Sequence, residues 1–269
     1  MENIKIEVIA EECFENFTIR SFFQDFEKDM VVDKKIRCKM HDIVHDFAQS
    51  ITKNECFEIH GDKKIVIDCK SACHLHLKIS KEMQCLEPVS HAKILRTLFL
   101  LSHEEDYDFN MLLFNSFQHF RCLRILILDC PIKKLLDTVE NLIHLRCLFL
   151  SKDVCIEELL KTVCNLCNLQ TLSIKNVHNF KNILDFKKLP QGMSKLINLR
   201  HLRFSISKDY LGIGVVFPKG IENLTCLRTL SDFNIGGKDD GEGCKHRELK
   251  NLNQLQGSHI WVEKCGRCR

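Results

Sequence analysis

The sequence contains no run of 18 apolar residues, so it predicts no membrane-spanning helix. Residues 1–7 interleave apolar and charged side chains, which a secretory signal peptide does not do. The net charge is only +3 over 269 residues. This is too small to indicate nucleic acid or an anionic membrane as the main partner. We therefore expect a cytoplasmic protein without a membrane span.

Signatures of catalysis are also missing. The sequence has no Gly-x-Ser-x-Gly elbow, no Gly-x-Gly-x-x-Gly loop and no EF-hand loop. Residues 236–238 read Gly-Gly-Lys, but the preceding glycine of a phosphate loop is absent and Asp239 stands where Ser or Thr is needed. The sequence predicts a protein that is not an enzyme.

What the sequence does contain is a repeat. Leucine-rich segments such as Leu123-Arg124-Ile125-Leu126-Ile127-Leu128 begin at positions 95, 123, 145, 169, 199 and 227. Degenerate starts at Ala72 and Leu255 bring the number to about eight. A period of this length predicts an α/β leucine-rich-repeat solenoid, with a curved parallel sheet and an irregular or short helical convex side.

The leucines of each strand should point inward, and the residues between them should face the concave side. Candidate partner-binding residues on this face are Phe99, Ile125, Ile127, Phe149, Ser173, His201 and Arg203. The face changes from apolar in the early repeats to polar and basic in the later ones. Because exposed apolar side chains mark contact surfaces, the first four are the strongest candidates. The alternative is that other protein segments cover them.

The organisation along the chain has four parts. Residues 1–52 predict a helix, a hairpin and a second helix, with Phe22, Phe23 and Phe26 as an aromatic cluster. This module is too small to bury a core alone. Residues 53–71 form a transition with short strands at 56–59 and 65–68, residues 72–262 hold the repeats, and residues 263–269 form a divergent tail.

Two groups of residues have the spacing of metal ligands. His41 and His45 lie four apart, as in zinc hydrolases, but Asp42 replaces the glutamate base and a third ligand is missing. Cys244, His246, Cys265 and Cys268 could form a four-ligand site, but an irregular chain terminus is the better explanation of the last pair. We predict no metal site.

The sixteen cysteines are scattered. Cys122, Cys147, Cys164 and Cys226 occupy repeat positions where a small apolar residue would serve. In a protein without a secretory signal they are predicted to be reduced and buried.

Residues 38–48, which read Cys-Lys-Met-His-Asp-Ile-Val-His-Asp-Phe-Ala, precede repeats that start with Leu-Arg-x-Leu. This combination closely resembles plant NB-ARC leucine-rich-repeat disease resistance proteins of the coiled-coil type. Residues 11–16 and 20–24 look like the end of that family's winged-helix subdomain, and residues 253–258 resemble a signature within its repeats.

By this resemblance, Met40, His41 and Asp42 form the family's MHD motif. His41 would sense the β-phosphate of ADP, and Asp42 would hold the geometry of the inactive state. The phosphate loop and the Mg²⁺-site strand are absent from this sequence, so we expect a fragment of a longer receptor. ADP and ATP would be cofactors of the intact parent family, and this chain would have none.

The resemblance implies a non-enzymatic recognition and autoinhibitory module in plant innate immunity. Its partner would be a pathogen effector, a guarded host protein or the receptor's own NB-ARC domain. Two alternatives stay open: an extracellular leucine-rich-repeat protein that binds a ligand, and a metal-dependent hydrolase that uses His41 and His45. The lack of a signal peptide opposes the first, and the incomplete ligand set opposes the second.

Overall fold

The computed structural model describes residues 6–28, 36–52, 55–60, 69–80, 89, 91–104, 117–130, 137–151, 161–177, 189–206, 215–230, 233–234, 243–255 and 260–261. The chain divides into two compact units, residues 1–56 and residues 57–269. The sequence had placed the corresponding boundary at residue 52.

The first unit contains the predicted helix, hairpin and helix. Its elements are α1 (Ile6–Ile19), β1 (Phe23–Lys28), β2 (Ile36–Met40) and α2 (Asp42–Thr52). The two strands pair antiparallel, and Phe23 lies opposite Met40. The register shifts between Gln24 and Glu27, where Asp25 has a φ of 52°.

Aromatic rings join α1 to the hairpin. The ring centroids of Phe14 and Phe23 are 5.2 Å apart, and those of Phe17 and Phe22 are 5.1 Å apart. The predicted cluster was wrong in one member: Phe26 lies within the register shift and is 47% exposed.

An eight-stranded sheet dominates the second unit. Its strands are β3 (Cys56–His60), β4 (His74–Lys78), β5 (Thr97–Leu101), β6 (Ile125–Asp129), β7 (Cys147–Leu150), β8 (Thr171–Val177), β9 (His201–Ile206) and β11 (Thr229–Leu230). The strands lie side by side in this order, and the pairs from β4 onward are parallel. The predicted leucine-rich-repeat sheet is confirmed.

Three further strands form a separate sheet: β10 (Val215–Val216), β12 (Phe233–Asn234) and β13 (Ile260–Trp261). The connections between the strands include 3₁₀ turns at Cys69–Ser71, Asp137–Asn141, Gln191–Lys195, Ile221–Asn223 and His246–Asn251. These turns are the short helical elements expected after each strand.

The leucines stack in register through the sheet. Leu98, Leu126, Leu148, Leu172 and Leu202 lie opposite one another on successive strands, and all five are fully buried. A second buried layer comes from the returning segments. It comprises Val139, Leu142, Val163, Leu166, Leu189, Met193 and Leu196. Burying each such side chain contributes about 1.5–3 kcal/mol.

Hydrogen bonds fix each repeat to the one before it. The carbonyl of Arg96 accepts the N–H groups of Arg124 at 2.8 Å and Ile125 at 3.0 Å. The side-chain amides of Asn168 and Asn198 donate to the carbonyls of Ile143 and Cys167, at 2.7 and 2.9 Å. Neighbouring repeats are therefore joined by both backbone and side-chain bonds.

The two ends of the repeat array differ. Ala72, Leu75 and Leu77 are buried, and β4 pairs with β5 over five residues, so the degenerate start at Ala72 is structurally a repeat. Near the other end, Leu255 packs against the core. Residues 256–259, which continue that start, lie outside the described residues, as does the predicted strand at 65–68.

The cysteines do not share one environment. Cys73, Cys130, Cys164 and Cys244 are buried, but Cys122 and Cys167 are exposed, which corrects the expectation of burial for Cys122. Cys122 and Cys167 carry free thiols. Burial raises the pKa of Cys164 to about 11, against the opposing effect of Lys195.

The difference in exposure between Cys164 and the exposed Cys122 and Cys167 predicts that they are alkylated at different rates. At pH 8 a thiol with a pKa of about 11 is ionised in roughly one molecule in a thousand. We expect iodoacetamide to modify Cys122 and Cys167 well before Cys164 in the folded chain, as measured by peptide mass spectrometry. The unfolded chain is the control, and there the three rates should converge. Equal rates in the folded chain would contradict the burial of Cys164.

The close packing of Gly192 against Cys164 predicts that a larger residue at position 192 destabilises the chain. A Cβ at this position would lie 2.8 Å from Cβ and 2.9 Å from Sγ of Cys164. We expect Gly192→Ala to destabilise the chain by about 1–3 kcal/mol through overpacking, measured by urea unfolding. Gln191→Ala, an exposed change in the same 3₁₀ turn, should have little effect. An unchanged unfolding midpoint for Gly192→Ala would show that the two segments are not in contact.

Candidate protein-recognition surface

The open face of the eight-stranded sheet carries two rows of side chains. Alternate strand residues are buried, so those between them lie on the open face. The first row holds His74, Thr97, Ile125, Cys147, Thr171, His201 and Thr229, and the second holds His76, Phe99, Ile127, Phe149, Ser173 and Arg203. Within each row, neighbours are one strand spacing apart, about 4.8 Å.

The second row is apolar over three strands. Phe99, Ile127 and Phe149 are half-buried neighbours on β5, β6 and β7. The ring of His76 stacks on Phe99 with centroids 4.5 Å apart and planes 17° from parallel. This row offers a continuous apolar and aromatic surface.

The same row becomes polar after Phe149. Ser173 follows on β8 but is only 3% exposed, so it offers a partner little surface of its own. Arg203 follows on β9 and is exposed. The sequence indicated the change in polarity, whereas neighbouring side chains decide the burial of Ser173.

The first row is held by hydrogen bonds between strands. Nδ1 of His74 lies 3.0 Å from Oγ1 of Thr97, and Nδ1 of His201 lies 2.9 Å from Oγ1 of Thr229. Burial, followed by the charges of Arg203 and Arg200, lowers the pKa of His201, which favours the neutral ring. Ile125 is half-buried in the same row.

An acidic group at the early end of the face was not predicted. Oε1 of Glu58, on β3, lies 3.3 Å from Nδ1 of His76 and 3.4 Å from Nε2 of His60. The signal in the sequence was a His-x-His strand following a Glu-x-His strand. It was missed because residues 53–71 do not follow the repeat pattern.

His41 and Asp42 lie in the first unit, at the start of α2. The N–H of His45 donates to the carbonyl of His41 at 2.8 Å, and the N–H of Ile43 lies 3.4 Å from Nδ1 of His41. His41 thus occupies the N-cap position. Asp42 is exposed in the first turn, where its charge favours the helix dipole.

The surroundings of His45 do not support a metal centre. Its ring contacts Asp46 at 3.5 Å and Gln49 at 3.3 Å on the exposed side of α2. Within the described residues, no three His, Cys, Asp or Glu side chains are placed to hold a metal ion. Cys265, Cys268 and the side chain of His246 lie outside the described part. None of the described helices is long and apolar enough to cross a membrane.

Comparison of the sequence with known protein families shows which class of protein this fold belongs to. The leucine-rich repeat region family matches residues 95–267, and the disease resistance protein winged helix domain matches residues 1–48. The first match covers more than half of the chain. The chain belongs to the leucine-rich-repeat family and carries a winged-helix segment of the disease-resistance type.

The curated relatives narrow the class. Over 261 residues the chain is 28% identical to the disease resistance RPP13-like protein 4 of Arabidopsis thaliana, covering 92% of this chain and 27% of that protein. It is 24% identical to the late blight resistance protein R1-A of Solanum demissum, covering 94% of this chain and 20% of that protein. The resemblance to plant disease resistance proteins is confirmed, and the chain spans about a quarter of these relatives' length.

Solved structures of other repeat proteins are more distant. An internalin of Listeria monocytogenes matches with a TM-score of 0.44 and 15% identity, covering 74% of this chain and 56% of that chain.

The position of His41 leads to a prediction about nucleotide. Its Nδ1 faces the helix backbone, and the sequence contains no phosphate loop. We expect this chain alone to show no measurable heat of ADP binding by isothermal titration calorimetry. His41→Ala should leave that result unchanged and serves as the control. A micromolar ADP affinity that His41→Ala abolishes would contradict this expectation.

Proposed function

We propose that the chain is a non-catalytic protein-recognition module of a plant disease resistance receptor and acts in the cytoplasm. We assign residues 1–52 to the end of the winged-helix region and residues 72–262 to the repeats. Residues 53–71 connect the two, and residues 263–269 form a tail. His41 and Asp42 are the MHD positions, whose nucleotide role belongs to the intact receptor.

The apolar second row is the observation that supports this function. Phe99, Ile127 and Phe149 lie on adjacent strands of one face, and each keeps part of its side chain accessible. Aromatic side chains at the centre of an interface contribute most of the binding energy in protein complexes. Ile125 and Cys147 in the first row extend the same surface.

The partner is therefore proposed to be a polypeptide. A pathogen effector, a guarded host protein and the receptor's own NB-ARC domain all qualify. Contact with the last would hold the receptor inactive. The polar end of the face, at His201 and Arg203, would contribute selectivity more than affinity.

Phe149 provides the test. Serine is tolerated at this position of the row, because Ser173 occupies it on the next strand. We expect Phe149→Ser to weaken partner binding about tenfold or more, as truncation of a central aromatic residue does. Partners captured from leaf tissue, with and without a pathogen, would be purified and their affinity measured by interferometry.

Lys195→Ser, an exposed change on a 3₁₀ turn away from the open face, is the matched control and should bind as the wild type does. Circular dichroism and the thermal midpoint establish that both variants are folded. If no captured protein distinguishes Phe149→Ser from Lys195→Ser, the open face is not the recognition surface.

A further inference from the structure

A column of arginines follows the first leucine of each repeat. Its members are Arg96, Arg124, Arg146, Gln170, Arg200 and Arg228. From Arg124 onward, the N–H of each member donates to the carbonyl of the preceding member at 2.7 or 2.8 Å. The backbone therefore sets the six side chains about 4.8 Å apart along one edge of the sheet. From Arg96 to Arg228 the column extends roughly 24 Å.

The early members of the column are available to a partner. Arg96, Arg124 and Arg146 are exposed, and among the described residues no carboxylate forms an ion pair with them. An arginine side chain is always charged at physiological pH. Guanidinium groups carried on adjacent strands repel each other, and a bound anion would relieve that repulsion.

Lys93 and Arg121 add positive charge beside the column. One and two residues before each start, the sequence places Lys93, Arg121 and His144, and the six repeats carry no Asp or Glu at these positions or in the column. We name these three sets of positions together the arginine edge. In a chain with 36 acidic residues, these positions carry only basic or uncharged side chains.

A cleft in the arginine edge has the chemistry of a carboxylate site. It is lined by Arg124, His144, Arg146, Asn168, Gln170 and Asn198. Asn168 and Asn198 each use one amide hydrogen to bind the preceding repeat, which leaves the other for a ligand. Paired guanidinium groups beside amide donors match the two oxygens of a carboxylate.

Apolar side chains lie among these charges. Ile94, Ile143 and Ile197 occupy the positions before their starts and are 47%, 60% and 55% exposed. A small polyanion would gain nothing from them. A polypeptide that carries both acidic and apolar side chains would use both features.

We propose that the arginine edge docks an acidic segment of a protein partner, with carboxylates at Arg124 and Arg146 and apolar side chains against Ile143 and Ile197. This inference rests on the proposed function only in taking the partner to be a protein. It assigns the electrostatic part of recognition to a surface that borders the first row of the open face, with the apolar second row two residues further along each strand.

Fluorescence anisotropy with labelled poly-L-glutamate and the full chain tests this proposal. The variant is Arg124→Gln with Arg146→Gln, because Gln170 already occupies a column position without disturbing the backbone. We expect binding to weaken about three- to tenfold. Lys161→Gln with Lys195→Gln removes the same charge from exposed residues elsewhere and should change binding less than twofold.

The reciprocal change is Gln170→Arg, which completes the column and should tighten binding about two- to threefold. Equal weakening by both glutamine pairs would overturn the proposal, since net charge alone would then account for binding. Tighter binding of a single-stranded oligonucleotide or of triphosphate than of polyglutamate would overturn it in favour of a phosphate ligand. A glutamine pair that unfolds is replaced by Arg124→Gln alone, judged against Lys161→Gln.

The outcome is separable from that of the proposed function. Phe149→Ser lies on the apolar row and should leave polyglutamate binding unchanged. If Phe149→Ser loses the protein partner while the arginine variants bind polyglutamate normally, the arginine edge is wrong and the function stands. If the arginine variants weaken polyglutamate binding but Phe149→Ser does not weaken binding of the protein partner, the arginine edge stands and the proposed role of the apolar row is wrong.

Discussion

The bonds between neighbouring repeats are the constraint on which the rest of the second unit depends. At each strand start one carbonyl accepts two N–H groups from the next repeat, as Arg96 does from Arg124 and Ile125. These bonds join residues that are 22 to 31 positions apart in the sequence. They set every repeat to the same register, and one repeat could not bury its leucines without its neighbours.

A common register converts a repeated sequence into continuous surfaces. Position by position, the buried leucines form the core, the residues between them form the rows of the open face, and the residue after each start forms the arginine column. Because the spacing is the same in all three, the cationic edge runs parallel to the apolar second row, and the first row lies between them. The apolar row and the cationic edge can act on one partner, the row through burial and the edge through charge.

The repeat starts and the buried leucines could be predicted because each follows a local pattern with a fixed period. The winged-helix segment could be predicted from its motif, although packing decided its details. Phe26 was misplaced because a register shift cannot be seen in the sequence, and Cys122 was misplaced because its position before a start is exposed. Glu58 was missed because its histidine neighbours come from β3 and β4 together.

The sequence by itself determined the class of fold, the inward leucines and the family, since these rest on periodicity and on short motifs. Only the tertiary structure decided which outward residues keep accessible surface. Ser173 is buried while Phe149 is not, although both occupy the same row. It also decided that five arginines from separate repeats share one edge. The physical reason is that accessibility and electrostatic field depend on neighbours across strands, and the chain brings these together only when the repeats stack.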